Sequence, residues 1–301
     1  MDNIIQELKQ CGYDEETIMS LMSYTKEDVD LISDEILLKD AEGCTSVDNP
    51  TAVYIGGQPG AGKSVISMGI KKADHNFVEI SMDNYRTYHP NYQKIEECIK
   101  EHWADRKMIE NDTPGNDIAH FTHNFSGEVV DEVIRKATDR KYNVAIEWNL
   151  REPYQPLNSM KELKDKGYKV NVWSLAVSKY ISSDAYKMRA DIMNKYGHIM
   201  RRVSKKFHDR CIIDLPDSLD YLKIHGVDTG IIDQLCVIDR NGKILWDKSQ
   251  KSFPGNILDN IINSKVNDAE KHNNPTFAKL SFAKEGEGLS LELAQNKSVT
   301  L

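Results

Sequence analysis

Ala52-Val-Tyr-Ile-Gly-Gly-Gln-Pro-Gly-Ala-Gly-Lys-Ser64 places an apolar run of β type, Ala52 to Ile55, directly ahead of a glycine-rich loop. The loop, Gly57-Gln58-Pro59-Gly60-Ala61-Gly62-Lys63-Ser64, has the pattern G-x-x-x-x-G-K-[ST], and a helix-compatible Val65 to Lys72 follows it. Strand, loop and helix in that order make a phosphate-binding loop. Glycines let successive backbone N–H groups turn inward around an anion with no Cβ in the way, and the helix N-terminus adds positive potential. In such a loop Lys63 reaches the β- and γ-phosphates of a nucleotide, and the Ser64 hydroxyl ligates Mg2+.

Outward from the loop the chain alternates between strand and helix patterns. Strands are expected at Asn76–Ser81, Asn143–Glu147 and Lys169–Val177. Gln234–Ile238 and Lys243–Trp246 flank Asn241-Gly242, a hairpin signal. Helices are expected at Tyr92–Ile109, at Phe125–Lys141, from Pro153 and Pro156 through Lys166, at Lys179–Lys195 and at about Ile199–Cys211. The alternation predicts an α/β fold of the P-loop NTPase or kinase type, a mostly parallel sheet flanked by helices. Residues 1–42 read as a helical N-terminal extension, with helix starts at Asp14-Glu-Glu and Thr25-Lys-Glu-Asp. The expected division is 1–50 as extension and linker, 51–264 as the P-loop domain, and 265–301 as a polar, flexible tail.

The bulk numbers exclude several classes. At 301 residues, 40% apolar and 29% charged, the composition is that of a soluble globular protein. No apolar run approaches the roughly 20 residues that span a bilayer, and Met1-Asp2-Asn3 lacks the basic flank of a signal peptide. The protein is expected to be cytoplasmic, with no membrane partner. Five scattered cysteines, none in C-x-x-C, read as reduced thiols. Residues 1–50 hold 13 acidic and 3 basic side chains, a local net of −10 within a total of −8, which leaves the remaining chain at +2. A near-neutral body behind an acidic leader argues against nucleic-acid binding, which needs a basic face.

Ligands of open α/β sheets sit at the carboxyl ends of the strands. Asp83 falls just beyond the strand Asn76–Ser81, where it suits a general base for an acceptor hydroxyl. Glu147 ends its strand in the region where a carboxylate holds Mg2+ through water. Either residue, alone, also suits a helix cap or a solvated strand end. Lys187, Arg189, Arg201, Arg202, Lys205, Lys206 and Arg210 make 187–210 a basic helical region, from which one or two arginines are expected to enter the cleft. Asp112-Thr-Pro-Gly115 reads as a helix-terminating turn, and His120 with His123 lacks the partners of a metal site.

These pieces together resemble the zeta toxins, P-loop small-molecule kinases of bacterial toxin–antitoxin systems. Gly56-Gly-Gln-Pro-Gly-Ala-Gly-Lys-Ser64 is similar to the family's G-G-Q-x-G-[SA]-G-K-[ST], and Asp83-Asn-Tyr-Arg-Thr-Tyr-His-Pro-Asn-Tyr92 to its D-[ST]-F-[RK]-x-x-H-P-x-[FY]. Tyr142-Asn-Val-Ala-Ile-Glu147 with Arg151 resembles Y-N-L-x-I-E-G-T-x-R, and His208-Asp209 and Leu215-Pro216 fit the end of the basic region. The likeness runs from about Tyr24 to Leu222. It implies phosphorylation of the 3′-hydroxyl of UDP-N-acetylglucosamine, or a related UDP-amino sugar, with ATP or GTP and Mg2+. It implies that Lys63 and Ser64 hold phosphate and metal, that Asp83 is the base, and that Glu147 organises the metal side. Arg189 and Arg201 would stabilise the transferring group, and Arg151 would sit near the substrate. A small helical antitoxin is the implied partner.

Three positions depart from the family pattern. Glu147-Trp148-Asn149 replaces Glu-Gly-Thr, Asp131 stands where the family has a substrate-contacting glutamate, and Met200-Arg-Arg-Val-Ser204 replaces Ala-Arg-Ala-Thr-Pro. They leave kinase chemistry in place and open the acceptor's identity: a nucleoside, another nucleotide or a cofactor are rivals. A nucleotide-dependent binding protein, in which Asp83 has no role, is a further rival. Met1 to about Ser23 exceeds the usual family start. It reads either as an extra packing element or as an acidic helix that takes part of the antitoxin's place in cis. On the second reading its deletion raises toxicity.

Overall fold

The structure, a computed structural model, describes residues 2–104, 114–195 and 203–264, with two short strands, Leu280–Ser281 and Glu292–Leu293. The expected tail at 265–301, those two strands excepted, and Arg201 lie outside the described residues.

A six-stranded sheet forms the centre. Its strands are β1 (Thr51–Gly56), β2 (Phe77–Ile80), β3 (Asn143–Glu147), β4 (Lys169–Leu175), β5 (Gln234–Ile238) and β6 (Ile244–Asp247). They lie in the order β2-β3-β1-β4-β5-β6, with every neighbouring pair parallel except the hairpin β5–β6. The order reverses beside β1, so the glycine loop leaves the sheet at a topological switch point. β1 is buried along its whole length, and alternation divides it between two cores. Ala52 and Tyr54 face one cluster, while Val53 and Ile55 face another, packed with Ile66 and Ile70 of α4 (Lys63–Ala73).

Helices α3 (Lys26–Asp40), α8 (His123–Asp139), α9 (Tyr154–Asp165), α11 (Lys205–Leu222) and α12 (Pro254–Ile262) cover the first face. α8 fulfils the expected helix within two residues at each end. α11 runs well past the expected end near Cys211 and through Pro216, because its buried face, Ile212, Leu215, Leu219 and Leu222, continues at helical spacing. α12 was not expected. The Asp220 carboxylate accepts a bond from the Gly255 N–H at its start (2.7 Å), and a Cβ at 255 would lie 2.7 Å from both Asp220 and the Pro216 carbonyl.

β2 passes into a short helical turn, α5 (Met82–Tyr85), and a 3-10 turn, Arg86–Tyr88. α6 (Tyr92–Ala104) and α7 (Pro114–Phe121) follow. Of the expected turn at Asp112–Gly115, the first two residues lie outside the described residues, and Pro114 starts α7 instead of ending a helix. α10 (Lys179–Lys195) matches its expected span. The five cysteines are free thiols. Among the described residues no helix is long and apolar enough to cross a membrane.

At the N-terminus, α1 (Asp2–Gln10) and α2 (Glu15–Leu21) form with α6 and α7 a separate apolar cluster of Leu8, Tyr13, Ile18, Leu21, Ile95, Ile99, Trp103, Ile118 and Phe121. Asp14 caps α2 through the Thr17 N–H, and Thr25 with Asp28 closes a capping box on α3. Inside the cluster the fully buried Asp117 accepts bonds from the Tyr13 hydroxyl and the Trp103 indole, both 2.7 Å. These contacts hold α1 and α2 against α6 and α7. Tyr13→Phe removes one charge-assisted donor from a buried carboxylate, and we expect a loss of about 1–3 kcal/mol in urea unfolding with an unchanged m-value; an unmoved midpoint would contradict this.

Candidate functional site

The loop between β1 and α4 is shaped by three glycines with positive φ: Gly57 (144°), Gly60 (78°) and Gly62 (103°). Gln58 to Ala61 is a turn closed by the Ala61 N–H on the Gln58 carbonyl (3.1 Å), with Pro59 and the positive-φ Gly60 in its centre, the residue types of a type II turn. Gly60 also lies against α10. A Cβ there would sit 2.1 Å from the Ser182 carbonyl oxygen. The Gln58 side chain, fully buried, donates to the Val177 carbonyl (2.6 Å) and approaches the Ser182 hydroxyl (3.4 Å). It ties the loop to the β4–α10 connection, and only its backbone remains for a phosphate. Ser182 in turn meets the Nε2 of buried His208 on α11 (2.9 Å). Loop and both basic helices are thus one hydrogen-bonded unit.

Gly62 caps α4 in the left-handed region with no side-chain bond, which leaves the helix start to other partners. Lys63 folds back, its ammonium donating to the Gly57 carbonyl (2.9 Å). Glu147 stands beside it at the end of β3, paired in register with Ile55 of β1. Burial raises the Glu147 carboxyl above its ordinary range, with smaller contributions from Glu79 and Asp83; Lys63 and a hydrogen bond with Ser64 oppose the rise. Its Oε1 is buried with no hydrogen-bond partner among the described residues. An orphaned carboxylate oxygen next to the loop serine fits a divalent cation. Mg2+ typically takes only one or two carboxylates and completes its shell with phosphate and water. Ser64 and Glu147 are the residues that would hold it, and it would neutralise charge on the nucleotide's phosphates.

Asp83, in α5, is two-fifths exposed, and its Oδ1 accepts a bond from Arg86 Nε (2.9 Å). Arg86 is buried. Its Nη1 donates to the Ala119 carbonyl (3.0 Å), Thr122 Oγ1 (3.1 Å) and Ser126 Oγ (3.4 Å), so α7 and α8 hold the guanidinium that holds Asp83. Sequence reasoning assigned Arg86 no role. The signal was present as Asp83-x-x-Arg86, the spacing that puts two side chains on one face of a helical turn.

The other expected residues are less convergent. Arg189 is exposed on α10, two turns beyond Ser182, and makes no contact with the loop among the described residues. Asp131 lies on α8, and partial desolvation, then the nearby Glu128 and Glu162 charges, raise its carboxyl. The Asn149 side chain accepts from the Arg151 N–H (3.0 Å). Arg151 pairs with Glu152 and lies over the Phe207 ring (5.6 Å). Trp148 continues the sheet, donating to the Ile55 carbonyl (2.9 Å), and its ring sits 6.3 Å from that of Tyr54. Leu150 takes φ 52° and packs into the space above Gly56, where a Cβ would lie 2.0 Å from its side chain.

Because folding raises the Glu147 carboxyl, ionised Glu147 costs stability above its unfolded value. Glu147→Gln is expected to raise the melting temperature of the ligand-free protein at pH 7 by about 2–4 °C. The gain should vanish as pH falls through the raised value, where Glu147 itself takes up a proton. A lower melting temperature at pH 7 would oppose this.

The family model described as zeta toxin matches residues 34–251. Toxin zeta of Enterococcus hirae is 26% identical over 233 residues, covering 76% of this chain and 75% of the relative. Toxin PezT of Streptococcus pneumoniae serotype 4 is 26% identical over 234 residues, covering 76% and 84%. Among solved structures, one from the characterisation of the PezAT chromosomal toxin–antitoxin system of Streptococcus pneumoniae superposes with a TM-score of 0.68 at 24% identity, covering 83% of this chain and 93% of that one. The expected fold, a mostly parallel P-loop kinase-like sheet between helices, is the fold observed. With its model matched over more than half the chain, this protein belongs to the zeta toxin family.

Proposed function

We propose that this zeta toxin family member is a phosphotransferase that moves the terminal phosphoryl group of ATP or GTP, with Mg2+, onto the 3′-hydroxyl of UDP-N-acetylglucosamine or a related UDP-amino sugar. The observation that carries the reading is the meeting of Lys63, Ser64, Glu147 and Asp83 at one end of the sheet, close enough that three of them perturb the Glu147 carboxyl. A bound nucleotide supplies the phosphoryl group, and Mg2+ the neutralisation its transfer needs. Asp83 takes the proton of the acceptor hydroxyl, and Arg86 fixes the carboxylate that receives it. Lys63 stabilises the phosphate charge that grows in the transition state, with Arg189 and Arg201 of the basic region in the same role. Asp131, Asn149 and Arg151 line the acceptor side.

Growth inhibition then follows from loss of a cell-wall precursor, and a small helical antitoxin is the proposed partner. The curated relatives bear the names toxin zeta and toxin PezT, and the PezAT structure is that of a toxin–antitoxin system. A second reading, a kinase of another acceptor, is favoured by Trp148, which puts a ring where the family pattern has glycine.

Purified protein with ATP, Mg2+ and a panel of UDP-sugars, followed by mass spectrometry, tests the reading. Phosphorylated UDP-N-acetylglucosamine is expected with the wild type, and Asp83→Ala should lower its formation by about 10²–10⁴-fold. ADP release with every UDP-sugar unmodified would overturn the acceptor. Full activity of Asp83→Ala would overturn the base.

A further inference from the structure

Arg240 follows β5 in the turn of the β5–β6 hairpin, and its place is unusual for a charged side chain. The loop leans from β1 across the end of β4, where Leu175 lies 3.3 Å from a Cβ built on Gly57. At its far end Gly62 reaches Arg240: a Cβ on Gly62 would lie 3.5 Å from Nε and 3.8 Å from Nη2 of the guanidinium. Nε is buried and has no hydrogen-bond partner among the described residues. The neighbouring acid, Asp239, is engaged in its own turn, where Oδ1 accepts from the N–H groups of Asn241 (2.8 Å) and Lys243 (2.9 Å). Burial holds the Arg240 guanidinium below its ordinary pKa, and no carboxylate is seen opposing it among the described residues. A guanidinium with a buried, unsatisfied Nε is costly, and arginine does not shed its proton to escape the cost.

The chemistry of that guanidinium is specific. A planar donor fork beside the backbone donors of a phosphate-binding loop matches phosphate oxygens. Its position in the sheet also selects which phosphates. Asp83 and Glu147 lie beyond β2 and β3, whereas Arg240 enters from β5, on the opposite side of β1. We propose that Arg240 is a nucleotide-binding residue that grips the phosphates retained after transfer, on the side of the loop away from the acceptor. This rests on the loop being the nucleotide site, a premise the test checks separately. Arg240 then anchors ATP and ADP alike.

The test measures binding of Mg-ADP and Mg-pyrophosphate to the full-length protein by calorimetry, beside the ligand-free melting temperature. Arg240→Gln is expected to weaken both ligands by roughly ten- to a hundredfold, with a ligand-free melting temperature equal to or above the wild type. Arg240→Lys, which keeps charge without the fork, should fall between. Lys63→Met checks the premise and should abolish both. Wild-type affinity in Arg240→Gln with binding lost in Lys63→Met would overturn the Arg240 assignment alone. Weakened ADP with unchanged pyrophosphate would overturn it too, since the guanidinium would then meet the nucleoside. Undiminished binding in Lys63→Met would remove the premise instead.

Discussion

Gly60 approaches the Ser182 carbonyl so closely that no β-carbon fits between them, and this contact fixes the phosphate-binding loop against α10. The buried Gln58 amide reinforces it from the same turn, and His208 extends the connection to α11. Together these contacts set the loop's position relative to the two helices that carry the basic residues. Pre-set geometry of this kind is what phosphoryl transfer asks of a protein, because positioning and electrostatics supply nearly all the catalysis.

The same region keeps its polar groups under tension. Among the described residues Glu147 has a buried oxygen without a partner, and Arg240 a buried nitrogen in the same condition, although buried polar groups are ordinarily satisfied. One is an anion and the other a cation, and they stand on opposite sides of β1. That arrangement suits a ligand that is itself a metal–phosphate complex, with cation toward one side and anion toward the other. The cost is carried by the cores on the two faces of the sheet, where β1, β4 and β5 bury alternate residues to each side.

Much of this was legible in the sequence. The glycine loop announced its strand and helix, and Asn143–Glu147 and Lys179–Lys195 have the expected bounds, because periodicity and turn residues there agree with the tertiary packing. α7 and α12 went unread: both begin at a proline, which reads as an interruption as readily as a helix start. Pro216 similarly hid the continuation of α11. Lys63, Ser64, Glu147 and Asp83 stand out as candidates in the sequence because each sits at a fixed offset from a strand end. Arg86 and Arg240 do not, because one acts through a contact to α7 and α8 and the other reaches the loop across two strands. The Asp83-x-x-Arg86 spacing is local, but the hold of α7 and α8 on Arg86 and the reach of Arg240 to the loop leave no trace in it.

The most direct measurement is a crystal structure with a non-hydrolysable ATP analogue and Mg2+. The predicted result has the terminal phosphate between Lys63 and Asp83, with the metal on the Ser64 hydroxyl and joined to Glu147 through water. A nucleotide bound away from the loop, or one whose terminal phosphate turns away from Asp83, would contradict a single phosphoryl-transfer site at this end of the sheet.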